Sequence, residues 1–127
     1  MINILSIPTS NDIFIEVNGR KIAVAQSYKA RTSRDSKHVE AFGSAEPVAT
    51  VGGRVKHQLE LSRVLISSPG DGIDFHAVSG FNVVIVKPDR KIIYSGCEWA
   101  NIDESVALGG VVLESVSIVA SKRLEIA

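Results

Sequence analysis

The run Gly52-Gly53-Arg54-Val55-Lys56-His57-Gln58-Leu59-Glu60-Leu61-Ser62-Arg63-Val64-Leu65-Ile66 alternates over a length well beyond an ordinary strand, and the rest of the chain is read around it. Val55, Leu59, Leu61 and Leu65 share one parity with His57 and Arg63, while Lys56, Gln58, Glu60 and Ser62 share the other. A period of two is what a half-buried strand requires. Its Ile66 end is apolar on both parities, so burial on both faces is expected there. Its Arg54 end follows a polar segment, so the strand is expected to reach beyond its own core. Gly52-Gly53 is followed by no Lys-Ser or Lys-Thr pair and by no helix, which favours a backbone bend leading into the strand over a phosphate loop.

Upstream, Ile13, Ile15 and Val17 alternate with Phe14 and Glu16, and Asn18-Gly19 supplies the two positive-φ positions of a type I′ hairpin turn. The returning strand is expected from residue 20 to about 31, with Ile22, Val24, Gln26 and Tyr28 on one parity. Residues 30–53 hold few apolar side chains, chiefly Val39, Phe42, Val48 and Val51. So long a stretch is implausible as a mere loop and is read as a protruding arm.

Downstream, Ser67-Ser68-Pro69-Gly70-Asp71-Gly72 is a turn cluster. A short helix is predicted from it to about Ser79, with Ile73, His76, Ala77 and Phe81 at helical spacing and Gly80 closing it. Val83-Val84-Ile85-Val86 reads as a strand buried on both faces. Pro88-Asp89-Arg90 turns the chain, residues 91 to about 102 return, 104–110 connect, and 111–126 form a last long strand. The expected fold is therefore mainly β: one domain over 1–127, an antiparallel sandwich or barrel of about six strands with one short α-helix and a long extended arm or hairpin. Val111-Val112 and Ile118-Val119-Ala120 are apolar on both parities. Either a second copy of the chain covers them or the helix and arm do.

Composition narrows the function. Apolar residues make up 45% of the chain and aromatics only 6%, so the core is built mainly from Val, Ile, Leu and Ala. Lys plus Arg equals Asp plus Glu, giving a formal net charge of zero, which permits close self-association. The one cysteine, Cys97, cannot close an internal disulfide, and no cysteine and histidine cluster has zinc spacing. The N-terminal run Met-Ile-Asn-Ile-Leu-Ser-Ile-Pro lacks a basic region and a cleavage site, so a soluble protein made in the cytoplasm is expected.

Two competing classes rest on particular residues. Arg20, Lys21, Lys29, Arg31, Arg34 and Lys37 form a basic stretch against Asp35 alone, but only Tyr28 is at hand for base stacking, which argues against nucleic-acid binding. The second half is weighted towards acid, so a basic arm could complement it between copies arranged head to tail. Cys97 with His38, His57 or His76 would make a thiol enzyme only if thiol and imidazole met, and Cys97 falls within a predicted strand, where a free cysteine is usually a small buried hydrophobe. No catalytic, metal or cofactor residue is assigned.

Val39-Glu40-Ala41-Phe42-Gly43, Glu46-Pro47-Val48-Ala49-Thr50-Val51-Gly52-Gly53-Arg54-Val55 and Val84-Ile85-Val86-Lys87-Pro88-Asp89-Arg90 resemble tail-tube proteins of contractile phages and phage-derived bacteriocins, of the PBSX prophage type. The similarity runs through most of the chain from Ile13 onward. It implies a β-sandwich or barrel, related in fold to the tube protein of type VI secretion, assembled as hexameric rings stacked into a hollow tube within a contractile sheath. A tube-initiator or baseplate ring protein would share that fold. The implied partners are further copies, a sheath protein and baseplate or initiator proteins, with DNA passing through the lumen without specific binding if the particle is a phage. Arg31, Arg34 and Lys37 of the arm are expected to meet acidic groups of another subunit, with Glu98, Asp103 and Glu104 the chosen partners. Glu40, Phe42 and Arg54, within the matching stretches, complete the expected subunit interface.

Overall fold

The computed structural model describes residues 7–22, 24–65 and 72–127. Ile66, the Ser67-Ser68-Pro69-Gly70-Asp71 part of the turn cluster and the first six residues lie outside the described residues. Eight strands are present among those described, rather than about six: β1 (Phe14–Val17), β2 (Arg20–Lys21), β3 (Ala25–Val39), β4 (Ala49–Val64), β5 (Phe81–Val86), β6 (Lys91–Ser105), β7 (Leu113–Ala120) and β8 (Lys122–Ile126). All pairings are antiparallel, in the order β2-β1-β5-β6-β7-β4-β3, with β8 beside β6.

The path divides into two layers. One holds β2, β1, β5, the first half of β6 and β8; the other holds the second half of β6 with β7, β4 and β3. The chain therefore crosses repeatedly from layer to layer. β6 crosses in its middle. β7 and β8 are one run of chain interrupted at Ser121, whose N–H and Oγ both donate to the Ser95 carbonyl, each at 3.1 Å. The expected single strand over 111–126 is thus two strands in different layers. The expected strand over 20–31 is likewise two: β2 stops at Lys21, Ile22 turns into the core, and β3 starts in the other layer. A strand changes layer most cheaply at a short break, and nothing in an alternating pattern marks one.

The core between the layers is built from one parity of each strand: Ile15 and Val17, Leu59 and Leu61, Phe81, Val83 and Ile85, Ile92 and Tyr94, Val116 and Ile118. Val84 and Val86 are only half-buried, so β5 is not covered on both faces within one chain. Asn18 and Gly19 take φ of 50° and 80°, as the hairpin turn requires, and Asn18 also bonds Asn82 through both N–H and side-chain oxygen at 3.0 Å.

No α-helix occurs among the described residues. The expected helix is one 3-10 turn, Phe75–Ala77, capped by the Asp74 carboxylate accepting from His76 N–H at 3.1 Å. Val78 is already extended, feeding β5, so the turn cannot propagate. Its plug is Phe75, edge-on to Phe81 at 5.9 Å, while His76 faces solvent. Beneath Phe75 lies a buried ion pair: Arg63 Nε and Nη2 each approach Glu114 Oε1 at 3.0 Å, Nη2 donates to the Ile73 carbonyl at 2.6 Å, and the guanidinium sits 4.9 Å from the Phe75 ring centre. A charge on the apolar parity of β4 is thereby satisfied on several sides, as burial demands.

The stretch read as an arm is a β-hairpin. β3 and β4 pair from Ala25↔Arg63 to Val39↔Ala49, but β7 accompanies β4 only between His57 and Val64. Beyond His57 the ribbon projects alone for roughly 25 Å, at about 3.3 Å per residue. A β-bulge interrupts it, the register passing from Arg34↔Val55 to Ser36↔Gly52. A Cβ on Gly53 would collide with the Asp35 carbonyl, so the bend expected at Gly52-Gly53 is present, inside the strand rather than at its start.

Candidate assembly surface

The layer formed by β6, β7, β4 and β3 has one apolar face, turned to the core, and one polar face. Paired residues share a face, so the registers define three lines across the polar side: Glu98, Val119, Gln58 and Arg31; Asn101, Ser117, Glu60 and Lys29; Asp103, Ser115, Ser62 and Ser27. Short hydroxyls fill its centre, with Ser62 and Ser115 joined at 3.2 Å. A hollow of about 280 Å³ lies over Lys29, Arg31, Gln58, Glu60, Asn101 and Ser117, so the face is concave there. Charge is graded across it: basic at the β3 edge, acidic at the β6 edge.

Both edges of this layer are open. β3 pairs only with β4, and residues 100–105 of β6 pair only with β7. Strand direction alternates through β6, β7, β4 and β3, so the two open edges run in opposite directions. A copy placed beside this one would continue the antiparallel alternation without a break.

The expected interface residues are distributed unevenly. Arg31 and Asp103 lie on the polar face at opposite edges, and Lys37 continues the parity of Arg31 along the hairpin. Glu98 is engaged within its own chain, accepting from Ser79 Oγ at 2.8 Å and Gly80 N–H at 2.9 Å. Glu104 lies opposite Glu114, on the core-side parity. Arg34 is on the other parity from Arg31 and packs over Gly52, while Arg54 sits within the bulge. Glu40 and Phe42 are in the hairpin turn, where Phe42 is 109% exposed. Of the three acids chosen from the sequence, Asp103 is the one on the polar face at an open edge. Sequence reasoning missed the Arg63–Glu114 pair, whose signal was a charge on the apolar parity of two strands, and the exposed apolar residues Val106 and Leu108, which extend the flagged Val111 between β6 and β7.

Cys97 is buried, and its thiol donates to the Tyr94 carbonyl at 3.4 Å. Burial pushes the thiol up to about 11, with the Glu98 charge adding to the rise and a backbone hydrogen bond from Val83 opposing it. A thiol held protonated is a poor nucleophile. His57 stands at the mouth between the layers, its Nδ1 3.2 Å from Thr32 Oγ1 and its ring edge-on to Tyr94 at 6.3 Å.

The chain matches no protein family profile and no curated protein. Its similarity to solved structures is extensive. A sheath/tube terminator of an extracellular contractile injection system (PVC) in the extended state superposes with a TM-score of 0.76 at 11% identity, over 98% of this chain and 100% of that one. A chain of the sheath-tube complex of the same kind of system gives 0.72 at 12% identity, over 94% and 91%. A chain from the tail of an empty gene transfer agent particle, of C6 symmetry, gives 0.71 at 14% identity, over 94% and 98%. With identities this low and coverage this complete, what is shared is the architecture: this chain has the fold of these tail and tube chains.

Proposed function

We propose that the chain is a structural, non-enzymatic subunit that assembles into hexameric rings stacked as the inner tube of a contractile tail or tail-like particle. The observation that carries this reading is the four-stranded layer with open, oppositely directed edges and a polar concave face. Six such layers placed edge to edge close into one continuous antiparallel barrel, which removes the open edges and turns the polar faces to a lumen. Basic β3 edges then meet acidic β6 edges at every contact, with Arg31 and Lys29 of one copy beside Asp103 of the next. Six-fold symmetry in a tail whose chain shares the fold supports the number. The polar face mixes Lys29, Arg31 and Lys56 with Glu60, Glu98 and Asp103, which suits a wall that passes DNA or another cargo without holding it. The subunit is made in the bacterial cytoplasm and ends in the particle, with sheath and baseplate proteins as neighbours.

Native mass spectrometry and negative-stain microscopy of the purified chain test this: rings of six and tubes of uniform bore are expected, and a strict monomer at high concentration would overturn the reading. A second reading, a terminating ring, is favoured by the likeness to a tube terminator, which is as close in fold as the tube chains. It predicts single rings that never elongate. The same images separate the two.

A further inference from the structure

The two layers part beneath the root of the hairpin, and the hollow between them there has a volume of about 480 Å³. Its walls follow from register, since paired residues share a face. Thr32 of β3 stands opposite His57, Ile85 of β5 opposite Ile92, and Tyr94 of β6 opposite Arg123 of β8, so these side chains turn inward between the layers. Lys87 continues the parity of Ile85 and lines the same space. Layers stack about 10 Å apart, and the β3 wall is short-sided at Ala30 and Thr32, so the hollow is a slot that fits a flat body.

β8 inverts the usual strand pattern. Leu124 and Ile126 face outward and are exposed, whereas Arg123 and Glu125 share the inward faces of Tyr94 and Ile92. Glu125 is already shared between two cations: Arg90 Nη1 donates to its Oε1 at 2.5 Å, and Arg123 Nη1 lies 3.8 Å from its Oε2. Lys87 makes no ion pair among the described residues, and neither does Asp89 in the β5–β6 turn. Cations line the slot and acids do not.

An inward charge on an edge strand also blunts the edge against pairing. Blunting does not call for a buried phenol. Tyr94 is 2% exposed, yet its hydroxyl bonds to no described residue, while no described side-chain polar atom is both sealed from solvent and unbonded. The hydroxyl therefore reaches into the slot that Tyr94 lines. Tyr28 brings a second phenol from the opposite wall; burial raises its pKa, with Tyr94 adding to the rise and Arg90 opposing it, so it stays a neutral O–H donor. A buried donor costs stability until it is bonded, and its natural partner is an acceptor entering the slot.

We propose that the slot binds a small aromatic oxyanion, a flat ring carrying a carboxylate or phosphate group. Lys87 and Arg123 take the charge, the Tyr94 and Tyr28 hydroxyls donate to the same acid group, and Ile85 and Ile92 cover the ring. His57, edge-on to Tyr94 and held by Thr32 through Nδ1, adds a flat wall. A neutral ring of the same shape leaves the cations and phenols unused, which is the basis of discrimination. The site lies within one chain and stands apart from the tube reading.

Calorimetric titration of the full-length chain with 2-naphthoate, 2-naphthyl phosphate and the neutral 2-naphthamide tests this. At least one acid should bind once per chain with a Kd below about 1 mM, and the amide at least about tenfold more weakly. The tighter acid names the group. Tyr94→Phe and Arg123→Gln, each checked for an unchanged melting curve, should weaken the acid by about tenfold. Arg123 stands on an exposed edge, so its variant reads the site independently of any effect of Tyr94→Phe on the core. Lys122→Gln removes the same charge from the outward face of β8 one residue away and should change nothing. No saturable binding of either acid below about 1 mM, equal binding of the amide, or an equal loss from Lys122→Gln overturns the proposal. A chain that binds the acid but never forms rings or tubes overturns the tube reading and leaves this one standing.

Discussion

The lower and upper halves of the β3–β4 ribbon are made from the same two strands and differ in what lies beside them. Between His57 and Val64, β7 runs along β4, and Leu59, Leu61 and Arg63 are buried; above His57, β7 has departed, and every β4 residue from 49 to 56 is exposed. A strand needs a partner for its hydrogen bonds, but it needs a second layer before its side chains can stabilise anything. The lower half is therefore held by the core, and the upper half is held by its own ladder alone, with its side chains in solvent.

The largest break of that comparison is to remove the upper half. Joining residues 34 and 55 through a short Asn-Gly turn deletes the projecting ribbon without touching a core side chain. Thermal unfolding should be unchanged while tube formation, scored by electron microscopy, disappears. Residual normal tubes would make the hairpin dispensable. Attacking the lower half reverses the pattern. Glu114→Ala removes a carboxylate partner of the buried Arg63 charge, and urea unfolding should report a loss of about 3–5 kcal/mol. Leu59→Ala should cost about 2–5 kcal/mol, against less than about 0.5 kcal/mol for Val55→Ala, four residues along the same strand.

A finer probe is charge across the open edges. Arg31→Glu should weaken assembly without altering stability, and Asp103→Lys in the same chain should restore part of it. An exposed pair contributes only about 0–1 kcal/mol, but the contact recurs around every ring. Tube yield for wild type, single and double variants decides it, and unimpaired tubes from the single variant would remove charge pairing. The smallest effect is expected from Cys97. Its folded-state pKa is raised from 9.0 to about 11, so the folded chain holds its proton more tightly. Its contribution is fully present below about pH 9 and is lost as pH rises towards 11. Cys97→Ala should flatten that part of the stability profile and leave assembly intact.

What could be read from the residues follows the same division. β4 and the Asn18-Gly19 turn were legible because burial on one face writes an alternation, and a tight turn demands particular backbone angles. The upper ribbon was seen only as a stretch with little to bury, because Arg34, Asp35, Ser36 and Lys37 form a strand whose two faces are both wet. The breaks at Ile22 and Ser121 were invisible for the opposite reason: the residues on either side are strand in both cases, and only the layer changes. The helix was misread because Ile73, His76 and Ala77 imitate its spacing, while the residue that packs is Phe75. At the surface, Arg31 and Asp103 could be named from charge, but not the capture of Glu98, which depends on Ser79 and Gly80 arriving from eighteen residues away.

Because β6 and the β7–β8 run each pass from one layer to the other, the two layers are not merely glued faces. Shearing one over the other would require peeling strands from their ends, since these lengths of covalent backbone cross the plane of slip. A load on one layer is carried into the other by peptide bonds rather than by side-chain adhesion. In the tube proposed above, whose bore would have to hold while a sheath shortens around it, stiffness of this kind would matter more than thermodynamic stability.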